Sequence, residues 1–139
     1  MWSLKQLPET VAIVGGAATG CQLASVLAAF GSRVSLLEIA PRLLGMEDAI
    51  ISDTITESFN QRGIEIVTDI GGVERIEAAE GKLSLWYKAG DESRQVFVEA
   101  VILATGWPGN ADNLNLDAAG VHSERGYVLV DEYLRTSSE

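Results

Sequence analysis

The fold is decided by residues Thr10 to Glu38, which read TVAIVGGAATGCQLASVLAAFGSRVSLLE. The stretch opens with a short apolar run at Val11–Val14, followed by a glycine-rich segment at Gly15–Gly20, which we call the glycine turn. After an apolar helical pattern, a second apolar run at Val34–Leu37 ends in the acidic residue Glu38. This order predicts a strand, a tight turn, a helix and a second, parallel strand.

The spacing of apolar residues predicts two helices. The first follows the glycine turn and ends at Gly31, which serves as a C-terminal cap. The second runs from about Asp48 to Gln61 and is ended by Gly63, before a third strand at Ile64–Thr68. The side chains predicted to face the core are Leu23, Leu27 and Phe30 in the first helix, and Ile51, Ile55 and Phe59 in the second.

The Thr10–Glu38 arrangement is typical of a dinucleotide-binding βαβ unit, and the chemistry of a pyrophosphate explains its spacing. Pyrophosphate oxygens need free backbone N–H groups and the positive end of a helix dipole, so side chains must be small where they bind. Gly15 permits the tight turn, and Gly20 lets the helix lie close to the sheet. Glu38 follows at a distance where a carboxylate can accept hydrogen bonds from both hydroxyls of an adenosine ribose. Ala17 replaces the middle glycine of the motif and places a methyl group beside the phosphates.

Composition and charge restrict the class of protein. At 139 residues, with 47% apolar residues and three prolines, the chain has the size and composition of one compact domain. Its net charge of −10 argues against polymeric nucleic acid or an anionic membrane as a partner. The sequence shows neither an apolar run long enough for a membrane span nor a signal peptide, which favours a cytoplasmic location. Because Cys21 is the only cysteine, we predict no internal disulfide and no metal site.

The middle of the chain changes to short alternating runs typical of antiparallel strands. They lie at Val73–Ala78, Leu83–Lys88 and Gln95–Val98, and the turns between them are too short for parallel crossovers. A nearly continuous apolar run, Ala100–Ala104, then predicts a strand buried on both faces. It leads to Thr105–Gly106, at the end of a strand where open α/β sheets bind ligands. The predicted fold class is α/β, a Rossmann-like parallel sheet with an inserted three-stranded antiparallel β-meander.

Four segments together carry a family resemblance. They are Val11–Ala24, Pro41–Leu44 followed by Asp48, Ala104–Gly106, and the closing stretch from Ala119 through Arg125-Gly126 to Thr136. In this order they resemble the NAD(P)-binding domain of flavin-dependent pyridine nucleotide–disulfide oxidoreductases, the family of lipoamide dehydrogenase, glutathione reductase and mercuric reductase. The chain departs from the family's pattern at two places. The family has Glu at the position of Gln22, and it has a more basic stretch after the A-T-G motif, at the position of Gly106–Asn110.

The resemblance implies a role for each residue of a nucleotide site. The implied cofactor-binding residues are Gly15, Gly16, Ala17, Ala18, Thr19, Gly20, Gln22, Glu38, Val73 and Gly106. The backbone of the glycine turn would hold the pyrophosphate, and Glu38 would bind the adenosine ribose. Gln22 would approach the nicotinamide, Val73 would form an adenine wall, and Gly106 would lie on the adenosine side. Because a carboxylate repels a 2′-phosphate and only Arg42 is near to offset it, NAD is favoured over NADP.

The resemblance also implies that the chain is part of a larger flavoenzyme. Residues 1–9 would be an incoming linker, in which Trp2 and Leu4 could pack on the domain, and residues 10–139 a single NAD(P)-binding domain. The implied reaction is dihydrolipoamide dehydrogenase-like and passes a hydride between the nicotinamide and FAD. The FAD-binding and dimerisation domains would lie outside this chain, and the parent would be a homodimer. No catalytic residue is expected in this fragment, which alone is predicted to be inactive.

Two other functions fit parts of the pattern. A non-catalytic nucleotide-sensing or regulatory Rossmann module would also carry the glycine turn, and Ala17 and Gln22 favour it. An S-adenosylmethionine-dependent methyltransferase combines a glycine turn with an acid after the second strand, but the meander and Ala104–Gly106 argue against it. A turn without any ligand would explain the glycines but not Glu38.

Several conspicuous residues are interpreted as structural. Cys21 stands alone on the first turn of the helix, which favours a buried thiol over a redox centre. His122 lies in a polar turn without an acid or nucleophile near it in sequence, which favours exposure to solvent. Trp86 is interpreted as a cover for the sheet edge rather than as a binding platform. The acidic residues Glu74, Glu77 and Glu80 are interpreted as a solvated strand face and turn.

Overall fold

The structure is a computed structural model that describes residues 4–79 and 81–138. The chain forms two compact units, the first ending at Thr105 and the second beginning at Gly106. This division lies inside the domain predicted for residues 10–139, whose unity as a nucleotide-binding domain stays a prediction. Trp2 and Glu80, which the sequence interpretation placed against the domain and in a turn, lie outside the described residues.

The first unit is an α/β structure, as predicted. Its helices and strands are β1 (Thr10–Val14), α1 (Ala18–Ala29), β2 (Arg33–Leu37), α2 (Ala49–Gln61), β3 (Glu65–Val67), β4 (Ile70–Ala79), β5 (Lys82–Ala89), β6 (Glu92–Val98) and β7 (Ala100–Leu103). Within the described residues, a parallel sheet has the order β3-β2-β1-β7. Because its strands are parallel, the glycine turn, Glu38 and Thr105 all follow strands at the same edge. No helix in the described ranges is long and apolar enough to cross a membrane.

The inserted meander is confirmed, as an antiparallel sheet of order β4-β5-β6. Leu85 and Tyr87 of β5 are buried, in agreement with the alternation of the sequence. The interpretation of Trp86 as an edge cover is wrong, because β5 is the central strand of this sheet. Trp86 instead stacks with Arg75, whose guanidinium carbon lies 4.2 Å from the centre of the ring.

The parallel sheet buries a different apolar cluster on each face. Val11 and Ile13 pack with residues of α1 and α2 on one face, whereas Ala12 and Val14 pack with the meander on the other. This alternation along β1 follows from the two-residue period of a strand. The central strands are therefore held on both sides, and the residues that follow them are fixed in position.

Three predicted buried positions differ from the structure. Phe30 caps the C-terminus of α1 and is 71% exposed, so its predicted place in the core is wrong. In α2, Ser52 is buried, whereas Ile51 is 47% exposed. Ser52 lies seven positions before the buried Phe59, so the two side chains point in directions that differ by only about 20° around the helix. Ile51 lies eight positions before Phe59, and its direction differs by about 80°. The prediction that the last parallel strand is buried on both faces is also wrong, because β7 is an edge strand and Leu103 is exposed.

The second unit is made of short elements. It contains 3-10 helices at Asp112–Leu114 and Leu116–Ala119, and a hairpin of β8 (Ser123–Glu124) and β9 (Tyr127–Val128). His122 is exposed, in agreement with its interpretation. Near the end of the chain, the carboxylate of Asp131 accepts the backbone N–H groups of Arg135 and Tyr133 and pairs with the Arg135 guanidinium at 2.9 Å. These hydrogen bonds, that of the Arg135 backbone above all, lower the pKa of Asp131.

Candidate functional site

The glycine turn requires glycine at two positions for steric reasons. Gly15 has a φ of 107°, and its N–H donates to the carbonyl oxygen of Leu37 at 2.8 Å. A Cβ atom at Gly15 would lie 2.5 Å from the carbonyl oxygen of Ala104. A Cβ atom at Gly20 would overlap the carbonyl oxygen of Gly15. The start of α1 therefore lies directly against the end of β1, and larger residues cannot enter.

Glu38 follows β2, and its carboxylate lies against the glycine turn. Its Oε2 atom accepts a hydrogen bond from the N–H of Gly16, and its Oε1 atom accepts one from the N–H of Ala40 at 2.7 Å. The side chain is half-buried, so these contacts hold the carboxylate in one place. The structure thus brings together two predicted site residues, Gly16 and Glu38, that lie 22 positions apart in the sequence.

The N-terminus of α1 presents its backbone to solvent. Ala17 is the N-cap residue and makes no side-chain capping hydrogen bond, and Ala17, Ala18 and Thr19 are exposed. The first N–H groups of a helix have no partner within the helix. With small side chains around them, these groups and the helix dipole form a surface that suits a phosphate group.

The remaining predicted site residues lie on three different elements. Gln22 is exposed on α1, two residues after Gly20. Val73 is half-buried on β4 and packs against the apolar cluster under the meander. Gly106 begins the second unit, is exposed and has a φ of 93°. No side-chain hydrogen bond among the described residues connects Gln22 or Val73 to the glycine turn, and the roles of all three residues toward a nucleotide stay predictions.

Sequence reasoning missed the loop residues that support the turn. Leu43 is fully buried, and one of its methyl carbons would lie 2.6 Å from a Cβ atom at Gly16. The N–H of Leu44 donates to the carbonyl oxygen of Gly16 at 2.9 Å. The hydroxyl of Ser52 in turn donates to the carbonyl oxygen of Leu43 at 2.6 Å. The same loop also carries the apolar residues Ile39 and Met46, so no pattern in the sequence distinguished the two leucines as this support.

Cys21 lies beneath the turn as a buried thiol. Its Sγ atom donates to the carbonyl oxygen of Gly16 at 3.2 Å. Burial, and to a lesser extent the charge of Glu38, raises the pKa of Cys21 to about 11. The thiol is therefore protonated at neutral pH, which supports the structural interpretation of this residue over a redox one.

The guanidinium of Arg42 is held by the loop that contains it. Its Nη2 atom donates to the carbonyl oxygens of Gly45 at 3.0 Å and Glu47 at 2.9 Å. Its buried Nη1 atom has no hydrogen-bond partner among the described residues. These hydrogen bonds hold the Arg42 side chain against its own loop, four positions after Glu38 in the sequence.

Comparisons with known proteins agree with this geometry. The whole chain, residues 1–139, matches the family described as pyridine nucleotide-disulphide oxidoreductase. It is 34% identical over 146 residues to the dihydrolipoyl dehydrogenase of Chlorobaculum parvum, a match that covers 97% of this chain and 29% of that protein. It is 29% identical to the mercuric reductase of Staphylococcus aureus, covering 97% of this chain and 25% of that protein.

Solved structures give the same result. The HOCl-induced flavoprotein disulfide reductase RclA from Escherichia coli matches with a TM-score of 0.81 at 34% identity, covering 98% of this chain and 30% of that one. LpdA from Mycobacterium tuberculosis has a TM-score of 0.85 at 22% identity over 99% of this chain and 29% of that one, and shows the fold alone. The chain spans about 30% of the length of these relatives. The chain belongs to the pyridine nucleotide–disulphide oxidoreductase family.

Proposed function

We propose that this chain binds NAD(H) as the nucleotide-binding part of a flavin-dependent disulfide oxidoreductase of the dihydrolipoamide dehydrogenase type. The observation that carries the proposal is the carboxylate of Glu38, fixed against the glycine turn at the carboxyl edge of a parallel sheet. This edge is where open α/β sheets bind dinucleotides. Family membership supports the same conclusion.

The glycine turn would hold the pyrophosphate. Gly15 and Gly20 keep the end of β1 and the start of α1 in direct contact, and Ala17, Ala18 and Thr19 at the start of the helix are exposed. Ala17 adds only a methyl group to this surface and is exposed. Backbone donors and the helix dipole would together bind the two phosphates without a basic side chain, which suits a chain of net charge −10.

Glu38 would bind the adenosine ribose and favour NAD over NADP. A ribose hydroxyl can donate to either carboxylate oxygen, whereas the 2′-phosphate of NADP would be repelled by the negative charge. Among the described residues, Arg42 forms no ion pair with Glu38 that would offset this charge. Its Nη2 atom is instead bound to loop carbonyl oxygens. The electrostatics of the site therefore favour the dinucleotide without the extra phosphate.

In the full-length protein, a bound nicotinamide would supply hydride chemistry toward FAD, as a donor in its reduced form and as an acceptor in its oxidised form. This chain would contribute binding and orientation. Gln22, exposed on α1, offers a neutral amide that can hydrogen-bond a nicotinamide carboxamide. Cys21 stays protonated and buried and takes no part. The chain alone would be inactive, and no observation favours the regulatory alternative.

Exposed apolar side chains support further domains as partners. Ile39, Met46 and Ile50, around the loop between β2 and α2, are 67%, 98% and 72% exposed. Exposed apolar groups of this size are typical of surfaces that other parts of a protein cover. We propose that the FAD-binding and dimerisation domains of a homodimeric parent cover part of the first unit, in the cytoplasm. Free dinucleotide, and neither nucleic acid nor membrane, is the proposed ligand.

Calorimetric titration of the chain with NADH and NADPH tests the proposal. We expect NADH to bind more tightly than NADPH. Glu38→Ala should weaken the binding of NADH by about tenfold, because two ribose hydrogen bonds are lost. Glu38→Gln keeps the size of the side chain and removes its charge, so it should narrow the preference for NADH over NADPH. Glu57→Ala, on the exposed side of α2, is the matched control. Equal binding of both nucleotides by the unchanged chain and by Glu38→Gln would contradict the role of Glu38.

A further inference from the structure

The hydroxyl group of Ser52 bonds outside the helix that carries it. Ser52 lies in α2 and is 1% exposed, and its hydroxyl donates to the carbonyl oxygen of Leu43 at 2.6 Å, in the loop before the helix. A hydroxyl inside a helix commonly bonds to the carbonyl oxygen four positions earlier. Thr54 of the same helix does so, with Ile50 at 2.7 Å. The hydroxyl of Thr54 therefore stays within α2, whereas that of Ser52 joins α2 to the loop.

The loop segment that accepts this bond contacts the glycine turn at Gly16. The N–H of Leu44 donates to the carbonyl oxygen of Gly16 at 2.9 Å, and a methyl carbon of Leu43 would lie 2.6 Å from a Cβ atom at Gly16. The N–H of Gly16 donates in turn to the Oε2 atom of Glu38. The backbone of Gly16 is therefore bonded to the loop through its oxygen and to the carboxylate through its nitrogen.

A single peptide group connects Ser52 with Gly16. The carbonyl oxygen of Leu43 and the N–H of Leu44 belong to the same planar unit, so the orientation of one fixes the orientation of the other. The Ser52 hydroxyl holds the oxygen of this unit, and its N–H points at Gly16. Leu44 has a φ of 51°, in the left-handed region that favours glycine. A leucine keeps such a conformation only where the surrounding contacts determine it, and such residues concentrate at binding sites.

We propose that Ser52 is a positioning residue for the adenosine ribose. Through the Leu43–Leu44 peptide and Gly16, it holds the carboxylate of Glu38 where that group accepts the ribose hydroxyls. The inference rests on the proposed function, in which Glu38 binds the ribose. Without the hydroxyl of Ser52, the Leu43–Leu44 peptide loses a donor and can rotate, and the Gly16 N–H then holds the carboxylate less firmly. Ser52 itself is buried and does not touch the nucleotide.

A double-mutant cycle on the full 139-residue chain, titrated with NADH by calorimetry, tests this role. We expect Ser52→Ala to weaken NADH binding about threefold, because the carboxylate is less well placed. In the Glu38→Ala background Ser52→Ala should cause no further loss, since the group through which it acts is absent. Thr54→Val removes a hydroxyl from the same helix and is the matched control, with unchanged binding expected. An equal loss from Ser52→Ala in both backgrounds would show a general structural effect and overturn the proposal.

The ligand-free chain gives a second measurement, by two-dimensional ¹H–¹⁵N NMR. The amide resonance of Gly16 reports its hydrogen bond to Glu38, and Ser52→Ala should shift it while leaving that of Gly90, in the turn between β5 and β6, unchanged. Ser52→Cys keeps a side chain of similar size with a weaker donor and should give a smaller shift. A dispersed spectrum establishes that each variant is folded, and Ser52→Cys replaces Ser52→Ala throughout if the alanine variant does not fold.

The two measurements separate a failure of this proposal from a failure of the proposed function. NADH binding by the unchanged chain, together with an unmoved Gly16 resonance in the Ser52 variants, overturns the role of Ser52 alone. An absence of NADH binding by the unchanged chain overturns the proposed function and, with it, the role of Ser52 toward the ribose.

Discussion

Glycines with a left-handed backbone occur both in the glycine turn and in the hairpin turns of the meander, but only the glycine turn is enclosed. Gly15 has a φ of 107°, and Gly81 and Gly90, in the two hairpin turns, have φ of 82° and 61°. A Cβ atom at Gly81 or Gly90 would meet nothing within 4 Å, whereas one at Gly15 would lie 2.5 Å from a carbonyl oxygen. The hairpins need glycine for backbone conformation alone, and the glycine turn needs it for close approach as well.

The two kinds of turn are also held differently. The hairpins are fixed by the regular pairing of the strands on either side, from Ala79–Lys82 and Ala89–Glu92 onward. The glycine turn has no such ladder, and it is held by the carboxylate of Glu38 and by the N–H of Leu44, from distant parts of the chain. A turn held by tertiary contacts can be rigid without being regular, which is what an anion site requires.

The largest effect that separates the two turns is expected from Gly20→Ala. Although Ala is favoured over Gly in a helix, the added carbon would overlap the carbonyl oxygen of Gly15. We expect the free energy of unfolding to fall by about 3 kcal/mol or more. Gly90→Ala, in open space, should cost only about 1 kcal/mol, from the left-handed backbone. Urea denaturation of both variants measures the difference, and equal losses would show that enclosure does not matter.

The next effect concerns the carboxylate that holds the glycine turn. Glu38→Ala leaves the N–H groups of Gly16 and Ala40 without their acceptor, and we expect a loss of about 2 kcal/mol in the free energy of unfolding. Glu38→Gln keeps one acceptor oxygen and should lose less. Thermal denaturation checks both, with Glu57→Ala of α2 as the control. A loss no greater than that of the control would mean that the turn holds its shape without Glu38.

The strand–turn–helix order, Glu38 after β2 and the meander were predictable because each has a local signal in spacing or composition. The contacts that enclose the turn were not, since Leu43, Ser52 and Ala104 reach it only through tertiary structure. Burial in α2 was misread because a shift of one position rotates a side chain by about 100° around the helix. The predicted meander already placed the run that contains Trp86 in the middle of its sheet, so the interpretation of Trp86 as an edge cover was inconsistent with it.

A smaller, pH-dependent effect is expected from Cys21, beneath the glycine turn. Its pKa is raised from 9.0 to about 11, so the folded chain holds the thiol proton more tightly than the unfolded chain. The resulting stabilisation is complete below about pH 9 and is lost as the pH rises to about 11. Denaturation across this range should show the decline, and Cys21→Ala should remove that part of it. At pH 8 the native thiol should also react with iodoacetamide about a hundredfold more slowly than the unfolded chain.

If the decline above pH 9 is the same in Cys21→Ala, it arises from other groups and the thiol is not the cause. Rapid alkylation of the native chain at pH 8 would also contradict the buried position of Sγ, since burial raises the pKa and restricts access together. Either result would weaken the comparison, because the glycine turn would then be more open to solvent than the structure shows.

The smallest effect belongs to exposed side chains of the meander, which add little to a sheet held by its backbone pairing and its buried side chains. Arg75 stacks on Trp86 at 4.2 Å and pairs with Glu77 at 3.3 Å, and Arg75 and Glu77 are both exposed. We expect a coupling energy between Arg75 and Trp86 of about 0.5 to 1 kcal/mol. A double-mutant cycle with Arg75→Ala and Trp86→Leu measures it by urea denaturation. A coupling energy above the loss of about 2 kcal/mol expected for Glu38→Ala would contradict this ranking. Exposed side chains would then stabilise the meander more than Glu38 stabilises the glycine turn.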